Sequence, residues 1–195
     1  MKIYLIRHGQ TTGDVEKRYG GAYDDHLTAE GKRQSEHLAG QLTGKNIEMI
    51  FHSPLMRAAE TAKILAEQMS CPLQETKSLR ERNGYGILTG MTEREAREKY
   101  PDQVKLLKNI NQTVVQGAET YEQFRQRFLE GINNIIERNT LDVIAIITHG
   151  GPIRCLLREQ LDRKELRKLG DCGYFLLEKN NQGLRLISMH NASYL

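Results

Sequence analysis

The chain has 195 residues, 38% hydrophobic and 27% charged, enough to bury a substantial core and unlike a disordered or membrane-embedded composition. Its 28 Lys and Arg against 25 Asp and Glu leave a net charge of +3 spread along the chain, too mild and too dispersed to argue for a nucleic-acid partner. No apolar run approaches the roughly 18 residues of a membrane span and the first residues carry no signal-peptide core, so a cytoplasmic protein with no membrane partner is expected.

In chain order, Ile3 to Ile6 reads as a short strand that runs straight into Arg7, His8 and Gly9. After the loop "YGGAYDD", a helix is expected in "LTAEGKRQSEHLAGQL", with Thr28 as N-cap and Leu38 and Leu42 on one face. "MIFHSP" is the next strand, and "LMRAAETAKILAEQM" the next helix, with Ala58, Ala62, Leu65 and Met69 at helical spacing. "PLQETKSL" reads as a third strand. From Glu119 to Arg138 a further helix buries Phe124, Phe128, Ile132 and Ile135. Val143 to Ile147 is a continuous, mostly β-branched run, the pattern of a strand covered on both faces. "PIRCLLREQL" then forms a helix, with Pro152 suited to its first turn, and "GYFLLEKNNQGLRLISMH" a terminal hairpin turning at Asn180 to Gly183. Cys71, Cys155 and Cys172 are odd in number and widely spaced, and read as reduced packing residues rather than a disulfide framework or a zinc site.

Repeats, low-complexity tracts and linkers are lacking, so residues 1–195 read as one domain. Strands alternating with helices imply an α/β fold, a largely parallel sheet with helices on both faces. In such sheets ligands bind beyond the carboxyl ends of the strands. That rule brings Arg7 and His8, Arg57 in the first turn after "FHSP", and His149 at the end of "IAIIT" to one rim. Two arginines and two histidines there, beside helix N-termini, describe an anion pocket, and guanidinium forks match the oxygens of phosphate. Each residue alone has a plainer reading: Arg57 as a solvated helix residue, His8 as a rim histidine. Convergence from three elements favours phosphate.

"LIRHGQT", "SPLMRAAETA", "LRER" with its following glycines, "GAETYEQFRQR" and "ITHGGPIR", in this order, resemble the histidine phosphatase superfamily, also called phosphoglycerate mutase-like. The resemblance runs through nearly the whole chain. It implies a three-layer α/β/α sandwich, no metal and no other cofactor. It also implies His8 as the nucleophile that becomes phosphohistidine, Arg7, Arg57 and His149 as the rest of the phosphate pocket, and Glu81 as the proton donor. The residue types make chemical sense on their own. Neighbouring cations disfavour imidazolium at His8, leaving a ring nitrogen free to attack, and the same cations stabilise charge on the transferring phosphoryl group. Gly9 and Gly150 suit close backbone approach to a ligand.

Two positions depart from the family pattern. Asp14 stands where an asparagine is usual, six residues after the nucleophile, and an ionised carboxylate cannot donate to phosphate. Either Asp14 turns away, or it is protonated, or Thr11 and Thr12 take over the contact. The glycines Gly86 and Gly90 also come one residue late after Glu81, so Arg82 and its loop reach the substrate differently. Substrate specificity is expected in an insertion around residues 91–117, with Arg94 and Arg97 as candidates beside Lys99, Lys105 and Lys108, although such residues are equally a solvated helical face.

A phosphomonoester phosphatase acting on a small phosphorylated metabolite is the favoured reading, because mutases of the family generally carry a longer C-terminal tail. Mutase-type phosphoryl transfer and a catalytically silent phospholigand-binding module remain alternatives. A metal-dependent hydrolase lacks its ligand spacing, and Arg7 and Arg57 would repel the cation. A homodimer is left open.

Overall fold

The computed structural model describes residues 1–109, 114–161 and 165–195. Strand β1 (Lys2–Arg7) is followed by a single helical turn, α1 (Thr12–Glu16), and by α2 (Ala29–Leu42). Then come β2 (Met49–His52), α3 (Met56–Met69) and β3 (Leu73–Glu75). A loop with 3-10 turns at Lys77–Leu79 and Gly86–Leu88 leads to α4 (Glu93–Lys99) and α5 (Pro101–Leu106). The chain closes with α6 (Tyr121–Arg138), β4 (Val143–Thr148), α7 (Gly150–Leu161), β5 (Leu166–Asn180) and β6 (Gly183–Tyr194).

The six strands form one sheet in the order β3-β2-β4-β1-β5-β6. The first four run parallel, and β5 and β6 are antiparallel to their neighbours. Period-two alternation decides which layer each strand residue feeds. Ile3, Leu5, Ile144 and Ile146 pack with Phe124, Phe128 and Ile132 of α6 and Ile153 and Leu156 of α7. Tyr4, Ile6, Ala145 and Ile147 pack on the other face with Leu38 and Leu42 of α2 and Ala58, Ala62 and Leu65 of α3. This is the expected three-layer α/β/α arrangement. A smaller cluster of Leu88, Ala96 and Val115, with Tyr19 and Tyr85 against it, lies beside the 3-10 loop.

Several elements differ from expectation. The third strand keeps only Leu73–Glu75, because the chain then turns to bury Leu79 in the α6 layer. β5 starts at Leu166 rather than at Gly173, passing through a register irregularity between Leu169 and Tyr174 that reads in sequence as a loop. Part of the 91–117 insertion, residues 110–113, lies outside the described residues.

Register positions the site. Arg7 pairs with Thr148, so the residues that follow, His8 and His149, leave adjacent strands at the same height. The His8 N–H donates to Thr148 O (3.2 Å), and the Ser53 N–H to Ile147 O (3.0 Å). The helix after His8 approaches closely because two glycines face each other. A Cβ on Gly9 would lie 2.5 Å from Gly31 O, and one on Gly31 would lie 2.1 Å from Gln10 O. Gly9 is thus required by α2 packing. Gly31→Ala should force backbone movement and cost about 1–3 kcal/mol, read as a fall of several degrees in Tm by calorimetry. An unchanged Tm would show that the loop yields freely.

Candidate active site

His8, His149 and Arg57 are 5%, 1% and 4% exposed, which places three polar rings and forks in the interior with their hydrogen bonds to satisfy. His8 Nδ1 is 2.8 Å from Gly9 O, an acceptor, so Nδ1 carries the proton and donates. Nε2 is then an unprotonated acceptor, and it receives the Arg57 Nε–H at 3.2 Å. The same N–H reaches His149 Nδ1 at 3.2 Å, which leaves the His149 Nε2–H to donate to Ser53 Oγ at 2.7 Å. The two imidazole centroids are 5.1 Å apart. Burial first, and the Arg57 and Arg7 charges next, push the His8 pKa well below the usual histidine value; burial, Arg57 and His8 do the same to His149. Both rings are neutral at neutral pH. The His8 Nε2 lone pair is unprotonated and is met by the shared Arg57 N–H.

Arg57 is fixed by α3 and by the loop before α2. Its Nη1 donates to Asp25 Oδ1 (2.8 Å) and Tyr23 O (2.5 Å), and its Nη2 to Gly21 O (2.9 Å). Asp25 is itself buried and receives the Gly13 N–H at 3.1 Å. Arg7 Nη1 donates to Leu169 O at 2.7 Å, and its Nη2 lies 3.4 Å from Asp171 and 4.0 Å from Asp14.

Glu81 faces this cluster across the pocket. Its Oε2 accepts the Gly151 N–H (2.9 Å) and its Oε1 the Arg82 N–H (2.8 Å). Burial raises its pKa against these two hydrogen bonds. A Cβ on Gly151 would lie 2.2 Å from Oε1, so the second glycine of "HGG" makes room for the carboxyl. Thr148 Oγ1 donates to Leu79 O at 2.6 Å and ties the Glu81 segment to the end of β4.

These groups share one cavity of about 630 Å³, lined by Arg7, His8, Thr11, Asp14, Arg57, Glu81, Arg82 and Gly150 among others, with His149 directly behind Arg57. Nothing stands within 4 Å of a Cβ placed on Gly150, which opens on the cavity. Thr11 caps α1: its Oγ1 receives the Asp14 N–H and Asp14 Oδ2 receives the Thr11 N–H, both at 3.0 Å. Asp14 lines the cavity 4.0 Å from Arg7, with one of its oxygens committed to the backbone.

The specificity candidates Arg94 and Arg97 lie outside this cavity, on the solvated helical face of their alternative reading. α4 buries only Ala96, and this leaves Arg94 exposed and Arg97 on the outer surface paired with Glu93. The outer cations of the cavity are Arg18, Arg82, Arg154 and Arg158 instead. Arg154 and Arg158 follow Gly150 at one-turn spacing on α7, a signal legible in "GGPIRCLLR". Asp25 and Ser53 carry no comparable signal.

The profile of the histidine phosphatase superfamily (branch 1) matches residues 3–192. The chain belongs to this superfamily. It is 29% identical over 157 residues to a Bacillus subtilis protein named uncharacterized phosphatase PhoE, covering 80% of this chain and 76% of that protein. It is 31% identical over 160 residues to a Cytophaga hutchinsonii protein named 2,3-bisphosphoglycerate-dependent phosphoglycerate mutase, covering 80% and 75%. The solved structure of Bacillus stearothermophilus YhfR is 26% identical, with 95% of this chain and 94% of that one covered and a TM-score of 0.85. As a histidine phosphatase the chain is a hydrolase with an α/β fold.

The buried histidines set a pH dependence of stability. Below about pH 6.5 the unfolded chain takes up protons at positions 8 and 149 that the native state refuses, so stability falls as pH falls, by up to about 1.4 kcal/mol per pH unit for each ring. Replacing one ring, in His8→Gln, should make the loss of Tm between pH 7 and pH 5.5 smaller than in the wild type. An equal loss would mean that His8 is not held neutral.

Proposed function

We propose that the chain hydrolyses a small phosphomonoester through a phosphohistidine formed on His8 Nε2. The observation that supports this reading is the Nδ1–H to Gly9 O hydrogen bond, which leaves Nε2 unprotonated beside Arg57. His8 Nε2 attacks phosphorus while the bond to the ester oxygen breaks. Arg7 and Arg57 stabilise the charge on the phosphoryl oxygens, with Thr11 and Gly150 lining the same end. His149 completes this end. Its Nε2 is held by Ser53 Oγ at 2.7 Å, which fixes the ring beside Arg57. Glu81, held protonated more readily by burial, gives its proton to the departing alkoxide and then takes one from the water that cleaves phosphohistidine. Inorganic phosphate and the alcohol are released, with no metal in the cycle. The 91–117 segment acts on specificity from behind: Gln116 O accepts the Ile87 N–H (2.9 Å) and so shapes the loop that carries Arg82.

Phosphoryl transfer to a second hydroxyl is the second reading, favoured by the 31% identical relative named as a mutase. Release of inorganic phosphate from a phosphorylated metabolite panel, set against isomerisation of 3-phosphoglycerate with a bisphosphate primer, separates the two.

Brief exposure to a labelled phosphomonoester followed by denaturation without acid should leave alkali-stable, acid-labile label on His8. Label that survives acid, or that persists in His8→Ala, excludes this intermediate.

Glu81→Gln keeps the shape of the donor and removes its proton. Hydrolysis of an alkyl phosphate should fall by about 10²- to 10⁴-fold, while p-nitrophenyl phosphate, whose leaving group needs little protonation, should lose much less. Equal losses on both substrates would give Glu81 a binding role.

A further inference from the structure

The irregular stretch at the start of β5 reaches the catalytic motif at three points. Leu169 O accepts Arg7 Nη1 at 2.7 Å, the Asp171 carboxylate lies 3.4 Å from Arg7 Nη2, and the Cys172 N–H donates to His8 O at 3.2 Å. The stretch is shaped for this. Cys172 sits in the left-handed region at φ 53°. A Cβ on Gly170 would lie 2.3 Å from Asn191 Nδ2, and one on Gly173 would lie 2.8 Å from Gly170 O. Asn191, also left-handed at φ 50°, donates its Nδ2–H to Asp171 O at 2.9 Å from β6. Asp171 further hydrogen-bonds Gln34 of α2, whose Oε1 accepts the Gln10 N–H at 2.9 Å. The groups facing Asp171 are therefore Arg7, Asp14 and Gln34.

We propose that Asp171 is a positioning residue for the phosphate pocket: from the β5 irregularity it holds the Arg7 fork, with Leu169 O, in the orientation that meets the phosphoryl group. This rests on the proposed role of Arg7 in binding phosphate. Arg7 is at the end of β1 and its guanidinium is about a quarter exposed. A flexible side chain at such a place loses orientation unless both its Nη groups are held. Asp14 lies on the cavity side at 4.0 Å, whereas Asp171 also lines a separate 350 Å³ hollow on the other side with Gln34, His37 and His190.

The sign of the effect tests this. Removing a carboxylate raises the positive potential of the pocket, which by itself tightens anion binding. Losing a brace weakens it. Asp171→Ala should weaken inhibition by inorganic phosphate about tenfold, through loss of the ion pair that orients the fork. Asp14→Asn should strengthen it. In an Arg7→Ala background, Asp171→Ala should add no further loss, because the fork that it holds is gone. Tighter phosphate binding in Asp171→Ala, or a tenfold loss that persists without Arg7, overturns the proposal. Should Asp171→Ala not fold, Asp171→Leu, which keeps the branched shape and has no acceptor for the Arg7 fork, is put through the same cycle with the same outcomes. The phosphohistidine assignment is checked separately by the label on His8, so that a failed brace and a failed mechanism give different results.

Discussion

One N–H organises this site. The Arg57 Nε–H lies 3.2 Å from both His8 Nε2 and His149 Nδ1, and a guanidinium can only donate, so both nitrogens must be acceptors. That fixes the tautomer of each neutral ring, and the protonated nitrogen then donates to Gly9 O in His8 and to Ser53 Oγ in His149. A buried cation beside two neutral rings is costly unless it is paired. Asp25 and the carbonyls of Gly21 and Tyr23 supply the pairing, which explains why a loop of glycines and acidic residues folds over the start of α3. The fold serves that arrangement. Parallel β1 and β4 put the histidines side by side, and β2 with α3 brings the arginine between them.

The other end of the cavity follows a different rule. Glu81 accepts two backbone N–H groups, which favour its ionised form, yet burial wins and its pKa is raised. A carboxyl in that balance can hold a proton and also give it up, as an acid that later becomes a base requires. Its neighbour Gly151 has no side chain to displace it. The two glycines of "HGG" therefore have separate duties, Gly150 opening on the cavity and Gly151 making room for the Glu81 carboxyl.

Much of this was legible in the sequence. His8 and His149 each follow an apolar strand run, and strand ends are where α/β sheets bind ligands, so their meeting was predictable without any contact being known. Arg57 stood in a helix first turn beside the same rim. What escaped was whatever depends on loop conformation or side-chain aim. Asp25 sits in a glycine-rich loop that could point anywhere, Ser53 looks like a turn residue, and Asp171 falls in a stretch that reads as a break between helix and hairpin. Arg94 and Arg97 take the plainer of their two readings. Their helix is amphipathic, and its one buried residue, Ala96, turns both arginines outward.

Asp14 brings the electrostatics together. Its capping of α1 uses one side-chain acceptor for the Thr11 N–H, and an asparagine would supply that acceptor equally well. The difference from the family's usual asparagine is therefore charge, placed 4.0 Å from Arg7 on the cavity side. Arg7 thus stands between two carboxylates, while Arg57 faces one. Phosphate entering such a pocket meets cations already partly neutralised, and so binds less tightly as ground state and as product. Binding that is uniform between ground state and transition state contributes nothing to turnover at saturation. In the mechanism proposed above, what matters for turnover is that the charge appearing on the equatorial oxygens meets two oriented guanidinium groups, Arg7 and Arg57, which the surrounding loops hold in place.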